Sequence, residues 1–132
     1  MSSIHLVKLI DLPILGDDRG QMSVIENATA PFDIQRIFYV YNTNPHVVRG
    51  QHANQKSQFL MVCVSGHVDI KVMDTTGVEK VYHLNDLTKG LYLPQLIWKD
   101  MYNWGANTVL LVLSDQAYDP DEYIRDREMF LN

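Results

Sequence analysis

The stretch Ile34-Gln35-Arg36-Ile37-Phe38-Tyr39-Val40-Tyr41 constrains the fold most, because it combines strand-forming residues with a period of two. Alternation puts Ile34, Arg36, Phe38 and Val40 on one face and Gln35, Ile37, Tyr39 and Tyr41 on the other. Both faces are largely apolar, so one meets an interior and the other a second sheet or a subunit. Comparable runs recur between turn residues. Residues 59–64 read as a strand, Ser65-Gly66 as a tight turn and residues 67–74 as its return. Thr75-Thr76-Gly77 then turns into a strand over 78–84. Further strands are predicted at 90–94, 99–104 and 109–113, with Gly105-Ala106-Asn107 turning between the last two. This is the pattern of an antiparallel all-β domain, a small barrel or sandwich. The one helix signal comes late. Asp119 suits the cap, Pro120 the first helical position, and Glu122 lies three residues after the cap, which predicts a short helix over about 120–129.

At 132 residues the chain is expected to form one domain that needs no covalent staples. No apolar run approaches the ~20 residues of a membrane span, and the first residues lack the pattern of a secretory signal, so no membrane role is expected. A lone Cys63 cannot form an intrachain disulfide, which points to a reducing cytoplasm and a small buried side chain. The net charge of −5 argues against a nucleic-acid polymer as partner, because no basic stripe exists to displace counterions from a phosphate backbone. A small anion needs only a local cluster of cations. Arg19, Arg36, Arg49 and Lys99 are the candidates.

The segment from Val48 to Phe59 has the spacing of a metal-binding β motif in which His-x-His is followed by a carboxylate. Here His52 stands alone, with Asn54 at the second imidazole position and Gln58 at the carboxylate position. One imidazole flanked by neutral amides is a poor set of ligands for a transition metal, so no metal and no cofactor are expected. A histidine three residues from Arg49 suits proton transfer better. His5, His46, His67 and His83 have no partner motif and read as structural or solvated.

Arg49-Gly50-x-His52-Ala53, the strand to Gly66, Gly90-Leu91-Tyr92-Leu93-Pro94, Trp98-x-x-Met101 and Tyr118-Asp119-x-x-x-Tyr123-Ile124-Arg125 occur in this order. Together with Asp18-Arg19-Gly20 and Pro31-Phe32-Asp33-Ile34-x-Arg36, they make a chain that resembles the nucleotide-sugar 3,4-ketoisomerases of the cupin superfamily. The resemblance implies a jelly-roll β-barrel over residues 1–132 and no metal requirement. It also implies a homodimer that exchanges N-terminal strands from about residues 1–30. The implied substrate is TDP-4-keto-6-deoxyglucose, and the implied downstream step is an aminotransferase that leads to 3-amino-3,6-dideoxyhexoses.

Moving a carbonyl from C4 to C3 requires removal of the C3 proton, stabilisation of an enediolate and return of a proton to C4. His52 is the expected base, because an ordinary imidazole is largely neutral yet easily protonated at cytoplasmic pH. Arg49 would sit near the developing oxyanion or the diphosphate. Regular extended geometry puts residues 49 and 52 on opposite faces, so this role requires Gly50 to bend the strand. Two positions depart from what the resemblance implies. Asn54 replaces a second histidine and cannot carry a proton near neutrality. Lys99 stands where His or Arg is implied, and offers a point charge without the guanidinium fork. Arg19 matches the members that give the galacto-configured product, whereas Lys99 matches neither type. Arg36 and Arg125 are candidates for phosphate, with a salt bridge to Glu26 as the structural alternative for Arg36. Gln58, Tyr92, Trp98 and Tyr102 complete the expected substrate-contacting set, and Tyr39 is a further aromatic candidate. The alternatives to isomerisation are a nucleotide-sugar epimerase and a non-catalytic binder that has lost an acid/base group at Asn54.

Overall fold

The computed structural model describes residues 3–131. Its strands in chain order are β1 (Lys8–Asp11), β2 (Ile14–Asp17), β3 (Gly20–Ser23), β4 (Arg36–Val40), β5 (Arg49–Asn54), β6 (Phe59–Ser65), β7 (Val68–Met73), β8 (Glu79–Leu84), β9 (Lys89–Leu93), β10 (Trp98–Tyr102), β11 (Val109–Ser114) and β12 (Tyr123–Ile124). One α-helix, α1 (Arg127–Leu131), closes the chain. The strands form two five-stranded sheets, β1-β9-β6-β11-β4 and β12-β5-β10-β7-β8, with β2 and β3 as a separate hairpin. The all-β jelly-roll expectation holds, in the form of two facing sheets. Among the described residues no ladder closes them into a continuous barrel.

The central strand shows why the layers form. Phe59, Leu60, Met61, Val62 and Cys63 of β6 are all buried, as a continuous apolar run between two neighbours should be. Alternation sends Phe59, Met61 and Cys63 into the inter-sheet core with Val68, Ile70, Val72, Leu91, Met101 and Leu110. Leu60 points the other way, onto Phe32 and Leu113, where the segment carrying Ile25 and Ile34 covers the sheet's outer face. Glycine is required where the β6–β7 turn packs tightly. Gly66 has φ +75°, and a Cβ there would fall 2.3 Å from Thr108 Oγ1.

The predicted 120–129 helix is replaced by a 3₁₀ turn at Pro120–Glu122, the edge strand β12 and the separate α1. Asp119 does cap, accepting from the Asp121 N–H at 3.0 Å. Glu122 does not close a capping box. Its carboxylate accepts from the backbone N–H groups of Lys56 and Ser57 at 2.9 and 2.8 Å, and from the Ser57 hydroxyl. Tyr123 and Ile124 are thereby laid against Asn54 and Ala53, where backbone pairing replaces helical hydrogen bonds. Phe130 of α1 then covers Trp98 on the outer face of the second sheet.

Strand β4 is an edge strand whose outward residues Ile37 and Tyr39 stay exposed, as does Tyr41 just beyond it. The β2–β3 hairpin likewise exposes Ile14, Leu15 and Met22. The sequence predicted neither the hairpin's register nor β1, since these short strands lack a buried alternating face. The expected exchange segment begins at residue 1, and its first two residues lie outside the described residues. Among the described residues no helix is long and apolar enough to cross a membrane.

Candidate active site

The site is built around an irregularity in β5. Met101 and Asp100 pair with Arg49 and Gly50, but Lys99 pairs with His52, so Gln51 is the extra residue of a β-bulge. Gly50 and Gln51 have φ of +84° and +54°. The Gly50 conformation suits glycine, and a Cβ there would also fall 2.8 Å from the Lys99 carbonyl oxygen. The extra residue re-aims the rest of the strand. Arg49 and His52, which a regular strand would face apart, both line one cavity of about 340 Å³ between the sheets. Its remaining walls include Phe38, Phe59, Met61, Lys99, Met101, Tyr123 and Arg125.

His52 is held from both sides. Its Nδ1 lies 2.9 Å from the Gly50 carbonyl oxygen. A carbonyl only accepts, so Nδ1 carries the hydrogen and Nε2 is the basic nitrogen. The Tyr123 ring packs tilted against the imidazole at 4.7 Å between centroids, and the Arg125 guanidinium lies over the Tyr123 ring, also at 4.7 Å. Burial lowers the His52 pKa to about 4, helped by the positive charges of Lys99 and Arg125 and opposed by the Gly50 hydrogen bond and Glu122. The imidazole is therefore neutral near pH 7 and competent to accept a proton.

Lys99 enters from the neighbouring strand β10. It is 2% exposed, its Nζ donates to Asn54 Oδ1 at 3.0 Å, and it lies 4.7 Å over the Phe59 ring. Burial lowers its pKa to about 7, partly opposed by the charge of Glu122. Glu122 is equally buried. Burial raises its pKa, yet the hydrogen bonds from Ser57 and Lys56 outweigh this, so the carboxyl is held below its ordinary value. Asn54 therefore sits between a buried cation and a buried carboxylate, its Nδ2 close to Glu122 but outside ordinary hydrogen-bond geometry. Among the described residues no acidic side chain lines the cavity, whose charged wall is Arg49, Lys99 and Arg125. Among the same residues no three His, Cys, Asp or Glu side chains gather as a metal site.

The family model for FdtA, described as WxcM-like, C-terminal, matches residues 5–132. The chain belongs to the FdtA family. It is 31% identical over 124 residues to the TDP-4-oxo-6-deoxy-alpha-D-glucose-3,4-oxoisomerase of Aneurinibacillus thermoaerophilus, covering 93% of this chain and 88% of that protein. Its structure is similar to that of QdtA, a sugar 3,4-ketoisomerase from Thermoanaerobacterium thermosaccharolyticum in complex with TDP. The TM-score is 0.92 at 32% identity, over 98% of this chain and 94% of that one. The TDP-fucose-3,4-ketoisomerase WlaRA from Campylobacter jejuni gives a TM-score of 0.91 at 34% identity, over 96% and 93% of the two chains.

In this FdtA-family chain the cavity gathers His52, Arg49, Lys99 and Arg125, with Asn54 directly behind Lys99. Other expected site residues lie elsewhere. Gln58 is tied into the first sheet, where its backbone N–H and its Nε2 donate to Asp115 and its Oε1 accepts from the Tyr92 hydroxyl. This network uses both Gln58 and Tyr92 away from the cavity. Trp98 alternates to the opposite face of β10 from Lys99 and packs on Phe130. Tyr102 ends β10 opposite Asp69, outside the cavity wall. Tyr39 faces outward, exposed, on the edge strand. Arg19 is an exposed hairpin residue paired with Asp17 at 2.7 Å, and it does not line this chain's own cavity.

Arg36 has no Glu26 partner. Its guanidinium stacks over Phe38 and Tyr118 at 5.2 and 5.8 Å, beside the cavity, and its Nε and Nη2 are buried without a hydrogen-bond partner. Sequence reasoning passed over Tyr123, Glu122 and Phe38. The first two lie in the Tyr118–Arg125 motif, where the false helix obscured them, and Phe38 lies on the predicted inward face of its strand.

Proposed function

We propose that this chain is a metal-independent nucleotide-sugar 3,4-ketoisomerase that converts a TDP-linked 4-keto-6-deoxyhexose to its 3-keto isomer. One observation carries the reading: an imidazole with its basic nitrogen free stands in a cavity whose charged walls are cations. His52 Nε2 takes the proton from C3. The C3–H electron pair becomes the C3–C4 double bond and the carbonyl pair moves to O4, giving an enediolate. Arg49, Arg125 and the Lys99 ammonium supply preorganised positive charge for that oxygen and for the diphosphate, an effect worth a few kcal/mol per well-placed donor. The hydroxyl proton passes from O3 to O4, C3 becomes the carbonyl, and C4 receives a proton. The unpartnered guanidinium atoms of Arg36 are a second position for an anionic group of the ligand.

The reading extends to assembly. Exposed Ile14, Leu15 and Met22 on the hairpin and Ile37 and Tyr39 on β4 suit a homodimer in which the segment of about residues 1–30 exchanges. Exchange would carry Arg19 to the partner's cavity. The cytoplasm, where nucleotide sugars are made, is the proposed location, and the 3-keto product suits an aminotransferase as the next enzyme.

The test is incubation with TDP-4-keto-6-deoxyglucose in deuterated water, with NMR of the sugar. Deuterium at C4 with a ketone at C3 is the expected result. Deuterium at C3 or C5 with the C4 ketone retained would make the chain an epimerase, and no exchange would make it a binder.

A further inference from the structure

Isomerisation places two demands on protons at carbon: one leaves C3 and another arrives at C4. Among the described residues the cavity contains one imidazole. Asn54, on the same strand, offers a neutral amide that does not titrate, and its carbonyl is already occupied by Lys99. A guanidinium is a poor proton donor, so Arg49 and Arg125 are suited to hold charge rather than to move a proton. Lys99 differs from all of these. It lines the same cavity, stands directly opposite His52 in the β5–β10 register, and is anchored at one side only. An ammonium has three donors, and Asn54 accepts one of them at 3.0 Å. Among the described residues Lys99 forms no ion pair within 4.0 Å, and Glu122, whose charge acts on it, is itself engaged by Ser57 and Lys56. A lysine that is fully buried with two donors uncommitted is held at a cost to stability, and a reaction needing a movable proton gives that cost a use.

Resting on the isomerase reading, we infer that Lys99 is the second proton-transfer residue of this site, delivering the proton that C4 receives. In that step the enolate carbon C4 takes a proton from the Lys99 ammonium as the O3 lone pair closes the C3 carbonyl. The amine left on Lys99 then recovers a proton from the His52 imidazolium through water, so no proton or electron is left over. Asn54 positions the ammonium. Burial lowers the Lys99 pKa and the charge of Glu122 partly opposes it; Arg49, His52 and Arg125 face it across the cavity, while Phe59 on β6 and Val72 on β7 are apolar neighbours. Its value near 7 makes it able both to give and to regain a proton at cytoplasmic pH.

Lys99→Arg separates this role from that of a fixed charge, since arginine keeps the charge and cannot release the proton. With TDP-4-keto-6-deoxyglucose in deuterated water, the variant is expected to keep exchanging the C3 hydrogen within about tenfold of the native rate. Formation of the 3-keto product should fall at least about 100-fold. The native pH profile should fall on its alkaline side near 7, as the ammonium is lost, and the Lys99→Arg profile should lack that limb. A second variant covers the case in which arginine does not fit. Lys99→Ala should lose product formation and regain part of it with added ethylamine. Conversion by Lys99→Arg within about threefold of native, with the alkaline limb unchanged, would overturn the assignment, as would failure of ethylamine to restore any activity to folded Lys99→Ala. If the native protein neither exchanges nor converts, the isomerase reading itself fails and takes this one with it.

Discussion

Strand β10 has two neighbours, and they treat it differently. On the β7 side the ladder is regular over five pairs, from Trp98 with Met73 to Tyr102 with Asp69, and it buries Ile70 and Val72 completely. On the β5 side the ladder is interrupted by Gln51, and the same strand meets Arg49, Gly50 and His52. Regular pairing repeats one arrangement and fixes the position of β10 in the sheet. The bulge leaves one residue without a partner and gains a change of direction, which brings the side chains of Arg49 and His52 onto one cavity wall. Lys99 takes part in both, paired with Val72 on one side and His52 on the other. Its backbone belongs to the scaffold and its side chain to the site.

Breaking the chemical side of this contrast should have the largest effect. His52→Asn is expected to lower isomerisation by at least about 10³-fold with little change in thermal stability, as turnover and calorimetry would show. Unchanged turnover would remove His52 as the base. Next comes the bulge itself. Gly50→Ala forces a Cβ against the Lys99 carbonyl oxygen at positive φ, a strain of about 1–3 kcal/mol. It should lower kcat/KM more than its loss of stability explains. Val72→Ala, on the regular side of Lys99, should instead cost roughly 2 kcal/mol in denaturant unfolding and leave the pH profile of activity in place.

Lys99→Met sharpens the comparison through stability. The folded lysine has a value near 7 and the unfolded lysine about 10.5, so between these pH values the unfolded chain holds a proton that the folded chain lacks. Native stability therefore rises as pH climbs from about 7 to 10.5, and the full cost of the buried charge is present below 7. Lys99→Met should be more stable than the native protein by roughly 1–3 kcal/mol near pH 6, net of the lost Asn54 hydrogen bond. That advantage should vanish above about pH 10. An advantage that is flat with pH would show that the buried ammonium carries no such cost. The smallest effect on the folded chain is expected for Arg19→Ala, whose partner is exposed. Unfolding should be unchanged. Co-expression of Arg19→Ala with His52→Asn should restore about a quarter of native sites if the hairpin exchanges in a dimer, and none if it does not.

The sequence was legible where a local pattern and its tertiary environment agree. The runs at β6, β7, β8, β9 and β11 appear within a residue or two of their predicted places, because alternation and turn glycines act over neighbouring residues. It misled where a distant partner won. Asp119, Pro120 and Glu122 spell a helix start, yet Glu122 is claimed by Ser57 and the backbone of Lys56, and the chain after it is claimed by β5. Gln58, Tyr92 and Trp98 were grouped with the site by their types and motif positions, but the parity of β9 and β10 sends Tyr92 and Trp98 to other surfaces, and Asp115 holds Gln58 beside Tyr92. Arg49 was kept on the condition that Gly50 bends the strand, and the bulge meets that condition.

Residue order alone determined the all-β class, most of the strands, and the loss of titratable character at Asn54, since periodicity and side-chain chemistry are properties of the chain itself. Tertiary structure decided which of those residues meet. The bulge direction, the burial that lowers both His52 and Lys99, and the capture of Glu122 across 65 residues of chain all depend on contacts between segments that no local pattern encodes. Ionisation and reach are set by surroundings, and those surroundings exist only once the sheets have packed.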